Sequence, residues 1–291
     1  MTVSQSLDTW IKAGTQRVLR GHRIFVRTAA RPGREPLLLI HGYPTASYDW
    51  HLVWPALAER YSLYALDLLG FGLSAKPRDV KFTIGLQADL CEALLHSSGV
   101  NQAHVLAHDY GDTVAQELLA REREGRLRLG SVCFLNGGLF PETHRPRTVQ
   151  KLLANPLLGP LLARVMSYRN FERTMLDISG KDPPSRAELT DLWNLIDRDG
   201  GRRALARLIS YMEQRRTNRE RWVGALVRSR VPRRLLCGTA DPISGRHLAE
   251  RYRRLVPDAE VVLFEGVGHY PQLEDPEAVL EAYLEFRSAP R

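Results

Sequence analysis

Apolar positions in the first third of the chain fall in short unbroken runs separated by amphipathic stretches. Residues 23–27, 36–40, 62–67, 103–107 and 131–135 each read as a strand, with helices predicted over 54–60, 83–97 and 111–123. Runs that do not alternate are buried on both faces, and helices between them imply parallel pairing. From about residue 138 to 222 the rhythm stops. That span is Leu-rich, Pro-broken and Arg-rich, with helical spacing and no convincing strand. Strands return at 233–238 and 260–264. The pattern predicts an α/β fold, a mostly parallel central sheet flanked by helices with an inserted helical cap. The expected division is a core over 1–137, a cap over 138–224 and the rest of the core over 225–291. Such an insertion is expected to lie over the C-terminal edge of the sheet, where open α/β folds place their sites.

Composition narrows the function classes. With 44% hydrophobic and 25% charged residues among 291, the chain is not a disordered segment, a collagen-like repeat or a coiled coil. The formal net charge is +8, but only Lys12, Lys76, Lys81, Lys151 and Lys181 are lysines. The arginine bias runs along the whole chain and reads as the genome composition of a GC-rich bacterium. Its densest stretch, residues 202–221, alternates with apolar residues at helical spacing and holds Glu213 and Glu220. A solvated helix face is expected there, and no nucleic-acid partner. Cys91, Cys133 and Cys237 lie in separate apolar runs without metal-ligand spacing, as buried thiols of a reducing compartment do. No apolar run approaches the ~18 residues of a membrane span, and the N-terminus lacks a signal layout. The expectation is a cytoplasmic protein without stable membrane insertion. The Leu-rich stretch 152–166 could meet a lipid surface, but Pro156 and Pro160 interrupt it, and packing inside the cap is its expected use.

Candidate chemistry concentrates at Ala107-His108-Asp109-Tyr110-Gly111. This is the small-x-nucleophile-x-small layout of a strand–turn–helix elbow, with Asp109 in the nucleophile position. A carboxylate suits attack on a saturated carbon bearing a leaving group, which leaves an alkyl ester on the enzyme. Against an ordinary ester carbonyl it would give a mixed anhydride. The plainer use of such a residue is to cap the following helix. Chain order favours the reactive use: Asp241 follows the strand at 233–238, and His269 follows the strand at 260–264, in the sequence nucleophile, acid, His. His269 would deprotonate a water that hydrolyses the ester, while Asp241 fixes its tautomer. The backbone N–H groups of Tyr43, in His41-Gly42-Tyr43-Pro44, and of Tyr110 would form an oxyanion hole. No dinucleotide fingerprint or metal spacing is present, so no cofactor and no metal is expected.

These motifs together resemble the α/β-hydrolase superfamily, in its epoxide hydrolase and haloalkane dehalogenase branch. The likeness covers nearly the whole chain. It extends through Tyr48-Asp49-Trp50, Asn136-Gly137-Gly138, Pro141-Glu142-Thr143-His144-Arg145-Pro146, Arg219-Glu220-Arg221-Trp222-Val223-Gly224 and His269-Tyr270-Pro271-Gln272-Leu273-Glu274-Asp275-Pro276. The resemblance implies a small apolar substrate and two reactions. Haloalkane dehalogenases have Asn after the His-Gly and Trp after the nucleophile, to hold the halide; Tyr43 and Tyr110 stand at those positions here. Fluoroacetate dehalogenases carry an Arg after the nucleophile, which this chain lacks. Epoxide hydrolases protonate the opening oxygen with cap tyrosines, and Tyr211 sits at about the position of one, with Tyr168 a second candidate. Epoxide opening to a diol is the leading expectation and dehalogenation the alternative. A hydrolase-fold binding protein without turnover is a third. His41, Asn136 and Tyr168 are expected in the substrate pocket. Asn136 stands where some dehalogenases carry the catalytic acid, which leaves that role to Asp241. Asp112 stands where the branch has Gly and receives no role.

Overall fold

The computed structural model describes residues 3–289. Its sheet contains β1 (Gly14–Leu19), β2 (His22–Ala29), β3 (Pro36–Ile40), β4 (Ser62–Leu66), β5 (Gln102–His108), β6 (Arg128–Leu135), β7 (Arg233–Gly238) and β8 (Glu260–Phe264). The eight strands lie in the order β1-β2-β4-β3-β5-β6-β7-β8. β1 pairs antiparallel with β2, and β2 antiparallel with β4; every later pair is parallel. The central strands are the unbroken apolar runs. Leu37, Leu38, Leu39 and Ile40 of β3 have no exposed surface, and burying each such side chain contributes roughly 1.5–3 kcal/mol.

β1 was not among the predicted strands. It is an edge strand whose side chains are mostly outside the core, with only Leu19 buried, so its sequence carries no apolar run. The chain turns back through Arg20 and Gly21 to form the β1–β2 hairpin.

β3 has β4 on one side and β5 on the other, so the strand order reverses around it. Loops leaving neighbouring strands at such a reversal diverge and open a crevice at the carboxyl ends. The loop after β3 begins at His41, and the turn after β5 is Asp109. Between β6 and β7 stand the helices Thr148–Leu153, Gly159–Val165, Tyr168–Ile178, Arg186–Asp197, Gly201–Leu208, Tyr211–Thr217 and Arg219–Arg228. The last of these is tied to the helix Tyr110–Arg123. Arg221 reaches Glu117 at 2.7 Å and the Trp222 indole donates to the same carboxylate at 2.8 Å. Among the described residues no helix is long and apolar enough to cross a membrane.

Candidate active site

β5 ends at His108 and the next helix begins at Tyr110, so Asp109 makes the turn alone. Its φ of 45° and ψ of −101° are unusual for a residue with a Cβ. Such a conformation persists only where its surroundings enforce it. The small residue at Gly111 has the expected reason: a Cβ there would come within 2.4 Å of the Ile40 carbonyl oxygen. The Asp109 side chain makes no cap hydrogen bond to its helix. Instead Oδ2 accepts the Tyr43 N–H at 3.1 Å. Tyr110 is the first residue of its helix, so its N–H has no acceptor within that helix. Burial alone would raise the Asp109 pKa. The charges of His269 and Arg215, with the Tyr43 N–H, outweigh burial and hold it below the usual carboxylate range.

His269 Nδ1 meets Asp241 Oδ2 at 2.8 Å. Asp241 is saturated with donors: Asn136 Nδ2 at 2.9 Å and Ser244 Oγ at 3.0 Å on Oδ2, and the Ile243 N–H at 2.7 Å on Oδ1. The loop carrying His269 is fixed from both sides. Glu274 accepts the N–H groups of Gly268 and Tyr270, and the His269 N–H donates to Ile178 at the end of an inserted helix. Burial would depress the His269 pKa; the Asp241 charge and hydrogen bond, helped by Asp109, overcome it and raise the imidazole to about 9. His108 lies behind, its Nε2–H donating to the His269 carbonyl at 2.7 Å, and burial drives its pKa down to about 3.

Three residues expected in the pocket are elsewhere. His41 is scaffold: its Nε2 accepts the Leu68 N–H at 3.0 Å and its Nδ1–H donates to Gly42 O at 2.7 Å. Asn136 lies beneath the site, where it bridges Gly238 and Asp241. The Tyr168 hydroxyl donates to Glu172 at 2.9 Å, since the one-turn spacing within its helix brings the two together, and it does not reach the cavity. Tyr211 is closer. Its ring packs against those of Tyr43 and Tyr110, with centroids 5.7 and 5.1 Å away, and its buried hydroxyl has no protein partner among the described residues.

The expectation of a solvated face over 202–221 fails at Arg215, which is 2% exposed. Its Nε donates to Thr113 Oγ1 at 2.7 Å and its Nη2 to the Asp109 carbonyl at 3.0 Å, 3.7 Å from the Asp109 carboxylate. The Tyr211 ring lies 4.5 Å below the guanidinium. Arg215 was hidden because it sits beside exposed Arg216 in a stretch rich in arginine. Asp112 is also buried, and Leu135 donates to its Oδ1 at 3.4 Å. Burial, followed by the neighbouring Asp109 charge, pushes its pKa well above the carboxylate range.

A cavity of about 260 Å³ reaches Tyr43 and His269 of this set; Asp109 and Tyr211 are not among its lining residues. Tyr43, Leu205, Ile243 and His269 line its inner end, and Leu162, Phe171 and Met175 of the inserted helices, with Met166 between two of them, line much of the rest. The wall is mainly apolar, with His269 the titratable group at its inner end. Among the described residues no cluster of His, Cys, Asp and Glu is arranged to hold a metal ion.

Known proteins share both sequence and fold. The chain is 41% identical to the mesoderm-specific transcript protein of Mus musculus over 98% of its own length and 88% of that protein's. The solved structure of the epoxide hydrolase CorEH superposes with a TM-score of 0.78 at 22% identity, covering 94% of this chain and 97% of that one. A loop variant of the haloalkane dehalogenase DbeA from Bradyrhizobium elkanii gives 0.79 at 22% identity, over 94% and 95%. At that identity the two structures speak for the fold. A family model described as the alpha/beta hydrolase family matches residues 37–282. The chain therefore belongs to the alpha/beta hydrolase family.

Proposed function

We propose that this protein is a cofactor-independent hydrolase that opens an epoxide to a diol through an alkyl ester on Asp109, with residues 138–224 as the cap over the site. The observation that carries the reading is the Asp109 carboxylate, ionised and bound by the N–H of Tyr43, a residue that with His269 lines a mainly apolar cavity. An Asp109 oxygen attacks an epoxide carbon, the C–O bond breaks, and the opening oxygen takes a proton. Tyr211 is our candidate donor, because its buried phenol stays protonated at neutral pH and has no competing acceptor.

Ester formation removes the Asp109 charge that helps hold the His269 proton. The imidazole then gives up that proton to solvent more readily, and the neutral ring can take a proton from the hydrolytic water, with Asp241 stabilising the imidazolium that results. The N–H groups of Tyr43 and Tyr110 stabilise the oxyanion as the ester is hydrolysed. Dehalogenation shares the first step but needs donors at the halide. The Tyr43 hydroxyl is turned instead to the Leu205 carbonyl, 3.4 Å away, which supports the epoxide reading.

The test is a panel of epoxides and haloalkanes offered to His269→Gln, followed by intact-mass measurement. An adduct of the epoxide's mass on Asp109 is expected. Halide release with no diol from any epoxide would move the assignment to dehalogenation, and absence of any adduct or turnover would leave a binding protein.

A further inference from the structure

The helices Thr148–Leu153 and Gly159–Val165, with the bend between them, leave several large apolar side chains exposed. Leu157 is 81% exposed, Leu161 58% and Val165 71%, with Leu152 and Leu158 also outside the core. At helical spacing Leu158, Leu161 and Val165 share one face, while Gly159 and Ala163 turn inward. A concentration of large exposed side chains on one short hairpin marks an interaction surface. Leu152 and Val165 also line the catalytic cavity, so the exposed patch continues into it. The hairpin itself carries charge of one sign, and Asp197 beside it is paired with Arg202. Between Glu142 and Glu172 the sequence has no acidic residue, and Lys151, Arg164 and Arg169 are exposed.

We propose that this hairpin docks on an anionic lipid bilayer and that the cavity receives its apolar substrate from the lipid side. Leucines entering the headgroup region with basic residues beside them is the pattern of a protein that lies on a membrane without spanning it. The prolines fit this surface: Pro156 and Pro160 break the run into two short helices, so leucines are presented outward at the bend rather than packed within one helix. Docking is independent of the chemistry at Asp109; delivery of substrate from the lipid rests on the proposed hydrolase reading.

The experiment is co-sedimentation of the full chain with vesicles of phosphatidylcholine alone and of phosphatidylcholine mixed with phosphatidylglycerol. Binding to the mixed vesicles, weakened by salt, is expected. The pair Leu157→Asp and Leu161→Asp should reduce it at least about tenfold, because two exposed apolar side chains no longer leave water. Neither residue lines the cavity, so the variant's circular dichroism and melting should match those of the parent. A second variant, Lys151→Gln with Arg164→Gln, removes charge alone and should weaken binding to the anionic vesicles by roughly tenfold. No vesicle binding, equal binding to both lipid compositions, or unchanged binding by both variants overturns the proposal. A dimer in light scattering that Leu157→Asp dissociates would also overturn it, by giving the patch to a second copy of the chain.

Discussion

The guanidinium of Arg215 is hydrogen-bonded to the backbone carbonyl of Asp109 at 3.0 Å and stands 3.7 Å from the carboxylate of the same residue. One side chain from the inserted helices thus supports the strained turn and supplies a counter-charge to its carboxylate. Arg215→Met should slow ester formation by about a hundredfold and move the acid limb of kcat/KM to higher pH, because a charge that favours the ionised carboxyl is gone. Arg215→Lys should restore part of both. The sign follows from linkage: a depressed carboxyl contributes stability above its ordinary pKa that is lost as pH falls through the lower folded value. An unmoved acid limb in Arg215→Met, whatever happens to its melting, would confine Arg215 to a structural role.

His269 carries the opposite shift. Its folded pKa of about 9 exceeds the ordinary value, so the stability it contributes is full below about pH 6.5 and is lost as pH rises through 9. Asp109→Asn removes one of the charges that hold this proton, and the imidazole pKa read by NMR should fall. Turnover should vanish while the fold persists, since an amide does not attack carbon; mass measurement must exclude deamidation. A His269 pKa that stays near 9 in Asp109→Asn would remove the charge coupling from the mechanism.

Tyr211→Phe deletes a hydroxyl and keeps a ring that packs on Tyr43, Tyr110 and Arg215. With an epoxide substrate, formation of the Asp109 ester should slow by the ~10²–10⁴-fold typical of losing a general acid. The hydrolytic step should change little. Pre-steady-state kinetics separates the two, and an unaltered alkylation rate would assign the proton to another donor.

Asp112 and Gly137 form a fitted pair. A Cβ on Gly137 would lie 2.1 Å from Asp112 Oδ2. Gly137→Ala should therefore destabilise the protein by about 1–3 kcal/mol in urea unfolding, as overpacking does. Asp112→Asn should be nearly neutral, because burial and the Asp109 charge favour the uncharged carboxyl, which an amide resembles. A large loss from Asp112→Asn at neutral pH would show that the group is ionised.

The parts legible in the sequence share a physical reason. Continuous apolar runs mark strands buried on both faces, and Gly111 marks a turn where helix and strand approach. Asp109, Asp241 and His269 stand at the ends of such strands, and the fold brings Asp241 and His269 into contact while Asp109 feels the charge of His269. What was not legible depends on facing rather than spacing. Residues 202–221 look uniformly basic, yet only the fold shows that Arg215 turns inward while Arg216 stays in water beside Glu213. Asn136 and His41 sit at the correct strand ends but point beneath the site. β1 has too little buried surface to leave an apolar signature. The role of Arg219-Glu220-Arg221-Trp222 was equally hidden: Arg221 and Trp222 fasten their helix to Glu117, and Arg219 pairs with Glu142.

The insertion between β6 and β7 also sets a rule for exchanging parts. Asp109, Asp241 and His269 all lie outside it, so a different segment could be grafted between the same two strands to reshape the cavity wall. The seam is not free, however. A graft that replaces the segment before Tyr211 leaves Arg215 and the clasp on Glu117 in place, whereas one that runs on through the helix Tyr211–Thr217 takes away the guanidinium that holds the Asp109 turn. Diversification of this scaffold is therefore expected to be uneven, permissive over the first two helices of the segment and restrictive at Ile178, which holds the His269 N–H, and over the last two helices.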